Sequence, residues 1–209
     1  MRTQTKEVQA ALTAAKCLEI LKAGNARFQN NLKANRNLLE QVNITASGQY
    51  PFATILSCID SRTSAELIFD QGLGDVFSIR IAGNVLNEDI LGSMEFACKV
   101  AGSKLLVVLG HSACGAVKGA CEGAKLGHLT GLLEKIQPAV SEIKRASPPP
   151  AEKLVDAVAK KNVELVVNEI RSKSSVLDTM IKDRQLGIVG GMYSIESGEV
   201  EFMPLVFGT

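Results

Sequence analysis

Short apolar runs alternate with longer amphipathic patterns along most of the chain. Five runs have the length and the β-branched content of strands, and the segments between them carry apolar residues at the three- and four-residue spacing of helices. This alternation is typical of an α/β fold, in which helices cover both faces of a mostly parallel sheet. The predicted strands are residues 51–57, 75–81, 104–110, 186–193 and 200–205.

The connections limit how these strands can pair. Helical segments separate the first four strands, as parallel crossovers require, whereas the short turn at residues 196–199 predicts that the fifth strand returns antiparallel to the fourth. We expect the order 2-1-3-4 with the fifth strand at the edge. In this order the first and third strands are neighbours, and their carboxyl ends flank the crevice where ligands bind in open α/β sheets.

Helical spacing predicts an N-terminal helix over residues 1–39, broken at Gly24 and Asn25. The whole chain, residues 1–209, suits one domain with a sizeable core. Residues 1–45 form its N-terminal helical arm, which needs a surface to pack on, either its own sheet or a partner subunit. His128 is expected in a surface loop. The other predicted helices are residues 63–72, 89–101, 112–123, 129–145, 151–174 and 175–183.

Composition excludes several classes of protein. Hydrophobic residues make up 46% of the chain and charged residues 22%, as in ordinary globular domains. A net charge of +1 without a basic patch argues against a nucleic-acid partner, and no stretch is apolar enough to cross a membrane. The polar N-terminus has no signal-peptide pattern. Five cysteines, an odd number, do not indicate a disulfide framework, so free thiols and a cytoplasmic location are expected.

Two motifs carry the candidate chemistry, and each follows a predicted strand. Residues 58–62 read Cys-Ile-Asp-Ser-Arg after the first strand, and residues 111–115 read His-Ser-Ala-Cys-Gly after the third. Zn²⁺ binds thiolate and imidazole ligands in tetrahedral sites, and a catalytic site leaves one position to water or substrate. Cys58, His111 and Cys114 are therefore predicted to hold one zinc ion per chain.

Asp60 and Arg62 are expected beside these ligands. They lie two residues apart, so both side chains can point the same way from an extended strand end. A carboxylate and a guanidinium favour a bidentate ion pair. We predict that this pair borders the metal site and takes part in its chemistry.

The two motifs closely resemble those of the β-class carbonic anhydrases. The resemblance covers nearly the whole chain from about Leu18 onward. It implies zinc-dependent, reversible hydration of carbon dioxide to bicarbonate and a proton by attack of a zinc-bound hydroxide. It also implies a homodimer or homotetramer in which the N-terminal arm crosses onto the partner subunit. Further matches are residues 24–28, Gln49, residues 75–80, residues 82–84, residues 190–193 and residues 197–198.

The resemblance also implies a substrate pocket. Gln49 matches a glutamine that contacts substrate in the plant-type branch of the family, and Phe77 matches a pocket wall contributed across a dimer interface. Ala82 is expected to line the same pocket. Phe96 stands where the plant enzymes carry a tyrosine, which makes this pocket more apolar. Gly115 is expected to present its backbone N–H to a bound oxyanion.

Asp60 has two possible roles in families of this kind. Paired with Arg62, it accepts a hydrogen bond from the zinc-bound water; released, it becomes a fourth zinc ligand and closes the site. Family members whose metal site closes in this way carry a tryptophan three residues before the first cysteine. Here that position is Ile55, and the chain contains no tryptophan. Together with Gln49, this favours the plant-type branch with an open site.

Three other interpretations use the same residues. A structural or regulatory zinc domain usually shows four ligands, and only three strong candidates are present here. A related hydrolase on the same scaffold, such as a carbon disulfide hydrolase, is compatible with the pocket residues. A thiol-redox or nucleophilic Cys/His enzyme ranks last, because the chain lacks a C-x-x-C pair and such an enzyme leaves Asp60 and Arg62 without a role.

Overall fold

A five-stranded mixed sheet lies at the centre of the computed structural model, which describes residues 3–146 and 149–208. The strand order is β2-β1-β3-β4-β5; the first four strands are parallel and β5 is antiparallel to β4. The predicted fold class and strand order are therefore confirmed. The strands are β1 Ala53–Ser57, β2 Val76–Arg80, β3 Leu105–His111, β4 Gly187–Tyr193 and β5 Val200–Phe202.

Helices cover both faces of this sheet. A 3₁₀ turn spans Ala82–Asn84, and a π-helix at Phe96–Val100 continues α5. Among the described residues, no helix combines the length and the apolar character that a membrane crossing requires. The helices are α1 Lys6–Ala11, α2 Ala14–Gln29, α3 Leu38–Ile44, α4 Ala65–Ile68, α5 Glu88–Glu95, α6 Gly115–Glu122, α7 Gly127–Glu134, α8 Gln137–Ala146, α9 Ala151–Lys173 and α10 Ser175–Lys182.

β1 and β3 are buried on both faces, as central parallel strands are. Successive side chains of a strand point to opposite faces. Ile55 and Val107 therefore pack with α2 and α4 on one side. Leu56 and Val108 pack with α5, α9 and α10 on the other. This double burial determines where both strands end, and so where the two motifs begin.

α9 packs very closely on β3 and β4. Two glycines of these strands, Gly110 and Gly190, lie beneath Val163. A Cβ atom added at Gly110 would come within 2.6 Å of one Val163 methyl, and one at Gly190 within 2.7 Å of the other. The absence of side chains at both positions therefore sets the spacing between α9 and the sheet.

The N-terminal helix breaks earlier than predicted. Thr13 caps α2, its side chain accepting a hydrogen bond from the N–H of Lys16, and α1 ends at Ala11. α2 then runs through Gly24 and Asn25, so the predicted break at these two residues is wrong. The predicted N-terminal helix includes residues 1 and 2, which lie outside the described residues. The predicted single domain also includes residues 147, 148 and 209, which lie outside them too.

Gly24 is a packing residue rather than a helix breaker. A Cβ atom at this position would lie 1.8 Å from the carbonyl oxygen of Phe69, so glycine permits the close approach of α2 to the chain after α4. Next to it, the buried side chain of Asn25 donates to the carbonyl oxygens of Ile68 and Gly198. Both residues therefore serve tertiary contacts that helical periodicity does not show.

Three other predicted helices differ from the structure. The helix predicted at 129–145 is two helices, α7 and α8, which meet where Ile136 is fully buried. His128 lies in the first turn of α7, not in a loop. The helix predicted at 63–72 contracts to α4, because Thr63 bonds back to the carbonyls before it and Asp70 has a left-handed backbone (φ 43°). The helix predicted at 89–101 changes to a π-helix at Phe96.

The N-terminal arm uses two kinds of surface. α2 buries Cys17, Leu18 and Leu21 in the core beside its own sheet. α3 instead exposes several large apolar side chains. That residues 1–45 pack on a partner subunit stays a prediction. The exposed apolar residues of α3 are Leu38, Leu39, Val42 and Ile44.

Replacing Gly24 tests the close contact between α2 and Phe69. We expect Gly24→Ala to lower the free energy of unfolding by about 1–3 kcal/mol, because the new methyl group overlaps a backbone oxygen that cannot rotate away. Gly131→Ala is the matched control. It adds the same methyl group to an exposed position of α7 where, apart from the adjoining helix backbone, no atom of the described residues would lie within 4 Å. We expect it to raise stability by about 0.5–1 kcal/mol. Urea unfolding of both variants measures the difference; equal stability would contradict the packing role of Gly24.

Candidate metal centre

Three predicted metal ligands meet where β1 and β3 end. Cys58 follows β1 directly, His111 is the last residue of β3, and Cys114 is the N-cap residue of α6. Their ligand atoms all lie within 4.8 Å of one another, and no more than 4% of any of the three residues is exposed. Because β1 and β3 are parallel neighbours, residues far apart in sequence emerge at the same edge of the sheet.

The donor set fits a zinc ion. Nδ1 of His111 lies 2.9 Å from the carbonyl oxygen of Ser112, so in the neutral ring Nδ1–H donates and Nε2 carries the free lone pair. Nε2 is buried and has no hydrogen-bond partner among the described residues, although buried polar atoms normally have one. Atoms bound to one tetrahedral zinc lie roughly 3.3–3.8 Å apart, a separation that this cluster can adopt with small shifts.

The two thiols differ in acidity. A hydrogen bond from Cys114 lowers the pKa of Cys58 well below its ordinary value, and burial opposes this effect. The imidazole of His111 and the N–H of Gly83, 3.4 Å from Sγ, lower this pKa further. The pKa of Cys114 is raised, first because its proton makes the hydrogen bond to Cys58 and then because it is buried. One sulfur is thus prepared as a thiolate, the form that binds zinc.

The turn that carries Gly83 is held from α9. Gly83 has a left-handed backbone (φ 66°), which glycine adopts without strain. The side chain of Asn162, itself buried, donates to its carbonyl oxygen at 2.9 Å. This bond helps to hold the turn in which the Gly83 N–H points toward the sulfur of Cys58.

Asp60 and Arg62 form the predicted bidentate pair. Nε and Nη2 of Arg62 lie 2.9 and 2.8 Å from the two carboxylate oxygens, and the backbone N–H of Arg62 donates to the first of these at 3.0 Å. The side chain of Asp60 is 17% exposed and that of Arg62 53%. These hydrogen bonds from Arg62 hold the pKa of Asp60 well below its usual range, against a smaller effect of burial.

Arg80 is a residue of this site that sequence analysis did not select. Its guanidinium donates to the carbonyl oxygens of Cys58 at 3.0 Å and of Asp60 at 2.7 Å. Arg80 ends β2 opposite Ser57 of β1, which places it beside the first motif. One indication of this role is present in the sequence, which is a positively charged residue near the end of a predicted strand of otherwise high β propensity.

The two residues between His111 and Cys114 are held by separate partners. The backbone N–H of Ser112 donates to the carbonyl oxygen of Tyr193 at 2.9 Å. The hydroxyl of Ser112 accepts a hydrogen bond from the backbone N–H of Ile195. Ala113 has a left-handed backbone (φ 52°), which costs a residue with a Cβ about 1–2 kcal/mol. Its N–H donates to the carboxylate of Asp156 in α9 at 2.8 Å.

Only part of the predicted substrate pocket lies near the metal ligands of the same chain. Ala82 begins the 3₁₀ turn that contains Gly83, and Gly115 follows Cys114 as the first residue of α6. Phe77 and Phe96 contact each other edge-on, 6.5 Å between ring centroids, beside the outer strand β2. Gln49 is exposed and precedes β1, whereas Cys58 follows it. The five residues of β1 alone span about 16 Å, so Gln49 and Cys58 lie at opposite ends of the sheet.

Comparisons with known proteins agree on one family. A family model described as carbonic anhydrase matches residues 53–200. Carbonic anhydrase 2 of Mycobacterium tuberculosis is 39% identical over 158 residues, 73% of this chain and 74% of that protein. A carbonic anhydrase of Mycolicibacterium smegmatis is 34% identical over 188 residues, 87% of this chain and 89% of that protein. In fold, the chain resembles a tetrameric β-carbonic anhydrase of Sordaria macrospora, with a TM-score of 0.73 and 24% identity, over 90% of this chain and 94% of that one.

Exchange of each of the two histidines tests the ligand set. We expect His111→Ala to reduce bound zinc from about one ion per chain to nearly none, because two thiols alone leave the tetrahedral site short of a protein ligand. His128→Ala is the control, since it removes the other histidine of the chain, and should retain full zinc content. Elemental analysis of both purified variants, with circular dichroism to verify folding, gives the answer. Zinc retained by a folded His111→Ala protein would rule out this site.

Proposed function

The chain belongs to the β-class carbonic anhydrases and catalyses the reversible hydration of carbon dioxide, and we propose that Cys58, His111 and Cys114 hold its zinc ion. The observation that carries this proposal is the convergence of two thiols with the buried Nε2 atom of His111, which has no hydrogen-bond partner in the part of the chain that the structure describes. Bicarbonate and a proton are the products of hydration. A buried three-residue donor set leaves the fourth position of a tetrahedral ion open, as a catalytic zinc site requires and a structural one does not.

Zinc in such a site supplies a Lewis acid that lowers the pKa of water, so that a strong nucleophile exists near neutral pH. Two thiolates and a neutral imidazole cancel the charge of the ion, whereas three imidazoles would leave +2. This chain's ligands are therefore expected to lower that pKa less, and the working pKa should lie above neutrality.

We propose that Asp60 is the hydrogen-bond acceptor that orients the attacking water, and that Arg62 keeps it in place. The low pKa of Asp60 keeps the carboxylate ionised at any working pH, so it accepts a hydrogen bond and does not itself titrate there. Arg62 occupies both carboxylate oxygens from one side. Arg80 supports the pair through the backbone carbonyl of Asp60.

The engaged Asp60–Arg62 pair supports the open, plant-type form of the site. A carboxylate held by the guanidinium and the backbone N–H of Arg62 is kept from turning to the metal as a fourth ligand. Ile55, where enzymes that close carry a tryptophan, is fully buried in β1 as an ordinary core residue. The chain has no tryptophan at any other position.

We propose further that the substrate pocket is completed by a second copy of the chain. Gln49, Phe77 and Phe96 all lie away from the metal ligands of their own chain. The two phenylalanines line a cavity of about 640 Å³. Phe96 is 54% exposed, and α3 adds an exposed apolar face. A homodimer or homotetramer would bury these surfaces and bring Gln49 and Phe77 to the partner's metal centre.

The location proposed for the protein is the cytoplasm. All five cysteines are free, and burial raises the pKa of the thiols of Cys17 and Cys98 to about 12, which makes both inert. A reducing compartment keeps such thiols free, which supports this location.

Stopped-flow hydration of carbon dioxide from about pH 6.5 to about pH 9 tests the open site. We expect activity to rise in one step through this range, because Asp60 stays ionised throughout and only the nucleophilic water titrates. Zinc content is measured on the same sample. Activity confined to above about pH 8 would indicate that Asp60 closes the site at lower pH. One zinc per chain without activity at any pH would favour a structural zinc domain or a related hydrolase, such as one acting on carbon disulfide.

Mixed dimers test whether two chains share each pocket. Gln49→Ala chains keep the metal ligands but lack the glutamine; His111→Ala chains have the reverse defect. Carrying different tags, the two are co-expressed and purified through both tags, so that every dimer contains one of each. We expect each homodimer to be nearly inactive and the mixed dimer to recover about half of the wild-type rate, since one of its two sites is complete. No recovery in a verified mixed dimer would show that each chain uses its own Gln49.

A further inference from the structure

We propose that Asp156 is a positioning residue, which holds the loop between His111 and Cys114 in the shape that lets both reach one metal ion. This inference rests on the proposed zinc site. It concerns a residue of α9 that neither touches the ligand atoms nor belongs to either sequence motif. The structural basis is the hydrogen bond between its carboxylate and the backbone N–H of Ala113.

The loop is short and has an unfavourable backbone. His111 ends a strand and Cys114 begins a helix, so Ser112 and Ala113 alone must redirect the chain between two ligands. They do so with a left-handed residue at position 113 (φ 52°), where the sequence has alanine rather than glycine. Side chains with a Cβ avoid this conformation unless neighbouring contacts hold it.

The contacts of the loop come from two sides. The chain around the end of β4 holds Ser112, through the carbonyl of Tyr193 and the N–H of Ile195. Asp156 of α9 holds Ala113, at 2.8 Å and across 43 residues of sequence. A carboxylate accepts from an N–H more strongly than a neutral oxygen does. The left-handed residue is therefore fixed by a charged partner on a long, well-anchored helix.

Asp156 contributes little to the packing of α9. It is exposed, and it lies at the wall of a cavity of about 400 Å³ that Ser112 and Tyr193 also line. α9 is anchored instead by apolar residues such as Val158, Val163 and Ile170. Alanine is also a better helix former than aspartate. Loss of the carboxylate should therefore appear in the metal site and leave the fold intact.

Zinc affinity of the full-length chain tests the proposal. Zinc is titrated in competition with a chromophoric chelator into the unaltered protein, Asp156→Ala, Asp156→Asn and Glu152→Ala. We expect Asp156→Ala to bind zinc about tenfold more weakly, the scale of an outer contact that orients a ligand. Asp156→Asn keeps an acceptor oxygen and should restore most of the affinity. Glu152→Ala removes the same charge one turn earlier in α9 and should not change it.

Two further readouts separate positioning from general damage. Cobalt substitution should give Asp156→Ala a shifted visible absorption spectrum, since the angles between the ligands change, while thermal unfolding of the metal-free proteins should agree among all variants. In a chain that also carries Ala113→Gly, loss of Asp156 should cost less zinc affinity, because glycine adopts φ 52° unaided.

The outcomes that overturn the proposal are distinct from failure of the zinc site itself. Equal zinc affinity and equal cobalt spectra for Asp156→Ala and the unaltered chain would refute the positioning role. An equal loss in Asp156→Ala and Glu152→Ala would reduce the effect to long-range charge, and would also refute it. An unaltered chain that does not bind zinc would overturn the proposed function, and this inference with it.

Discussion

β1 and β3 run side by side in the middle of the sheet, and their alternating side chains are buried against helices on both faces. That burial fixes the register in which Ser57 lies opposite Leu109, because a shift of one residue would turn every buried side chain to the other face. In this register Cys58 emerges beside His111 as both strands end. The proposed metal ligands are therefore positioned by the packing of strands whose buried apolar side chains take no part in the site.

Local sequence patterns predicted this centre because its ligands directly follow apolar runs. Cys58 and His111 could be located from strand ends alone, and the strand order followed from the connections. Asp156 could not be found in this way, because its contact spans 43 residues and leaves no spacing to recognise. Arg80 does lie at a strand end, but its partners are backbone oxygens of Cys58 and Asp60, which a sequence pattern does not show. The predicted helix break at Gly24 is wrong for the same reason. The role of this glycine is a close contact with the backbone oxygen of Phe69, which helical spacing in the sequence does not indicate.

One chain assembles the ligand set, but not the whole pocket that the sequence predicted. Ala82 and Gly115 adjoin the thiols, whereas Gln49 and Phe77 stand toward the opposite end of the strands. No side chain reaches across a strand of about 16 Å. The fold thus separates two tasks. The position of the proposed metal ligands depends on strand register within a chain, whereas the proposed enclosure of the substrate depends on what covers the outer strand.

Gly110 and Gly190 have no side chains, and for this reason they determine how closely α9 packs on the sheet. Both lie under Val163, whose methyl groups fill the space that a Cβ would take. The same helix carries Asn162, which holds the carbonyl of Gly83, and Asp156. A methyl group gained at either glycine would lift all of these contacts at once. Through one helix, two positions that carry no functional group therefore determine the geometry of the loop and the turn beside the proposed metal ligands.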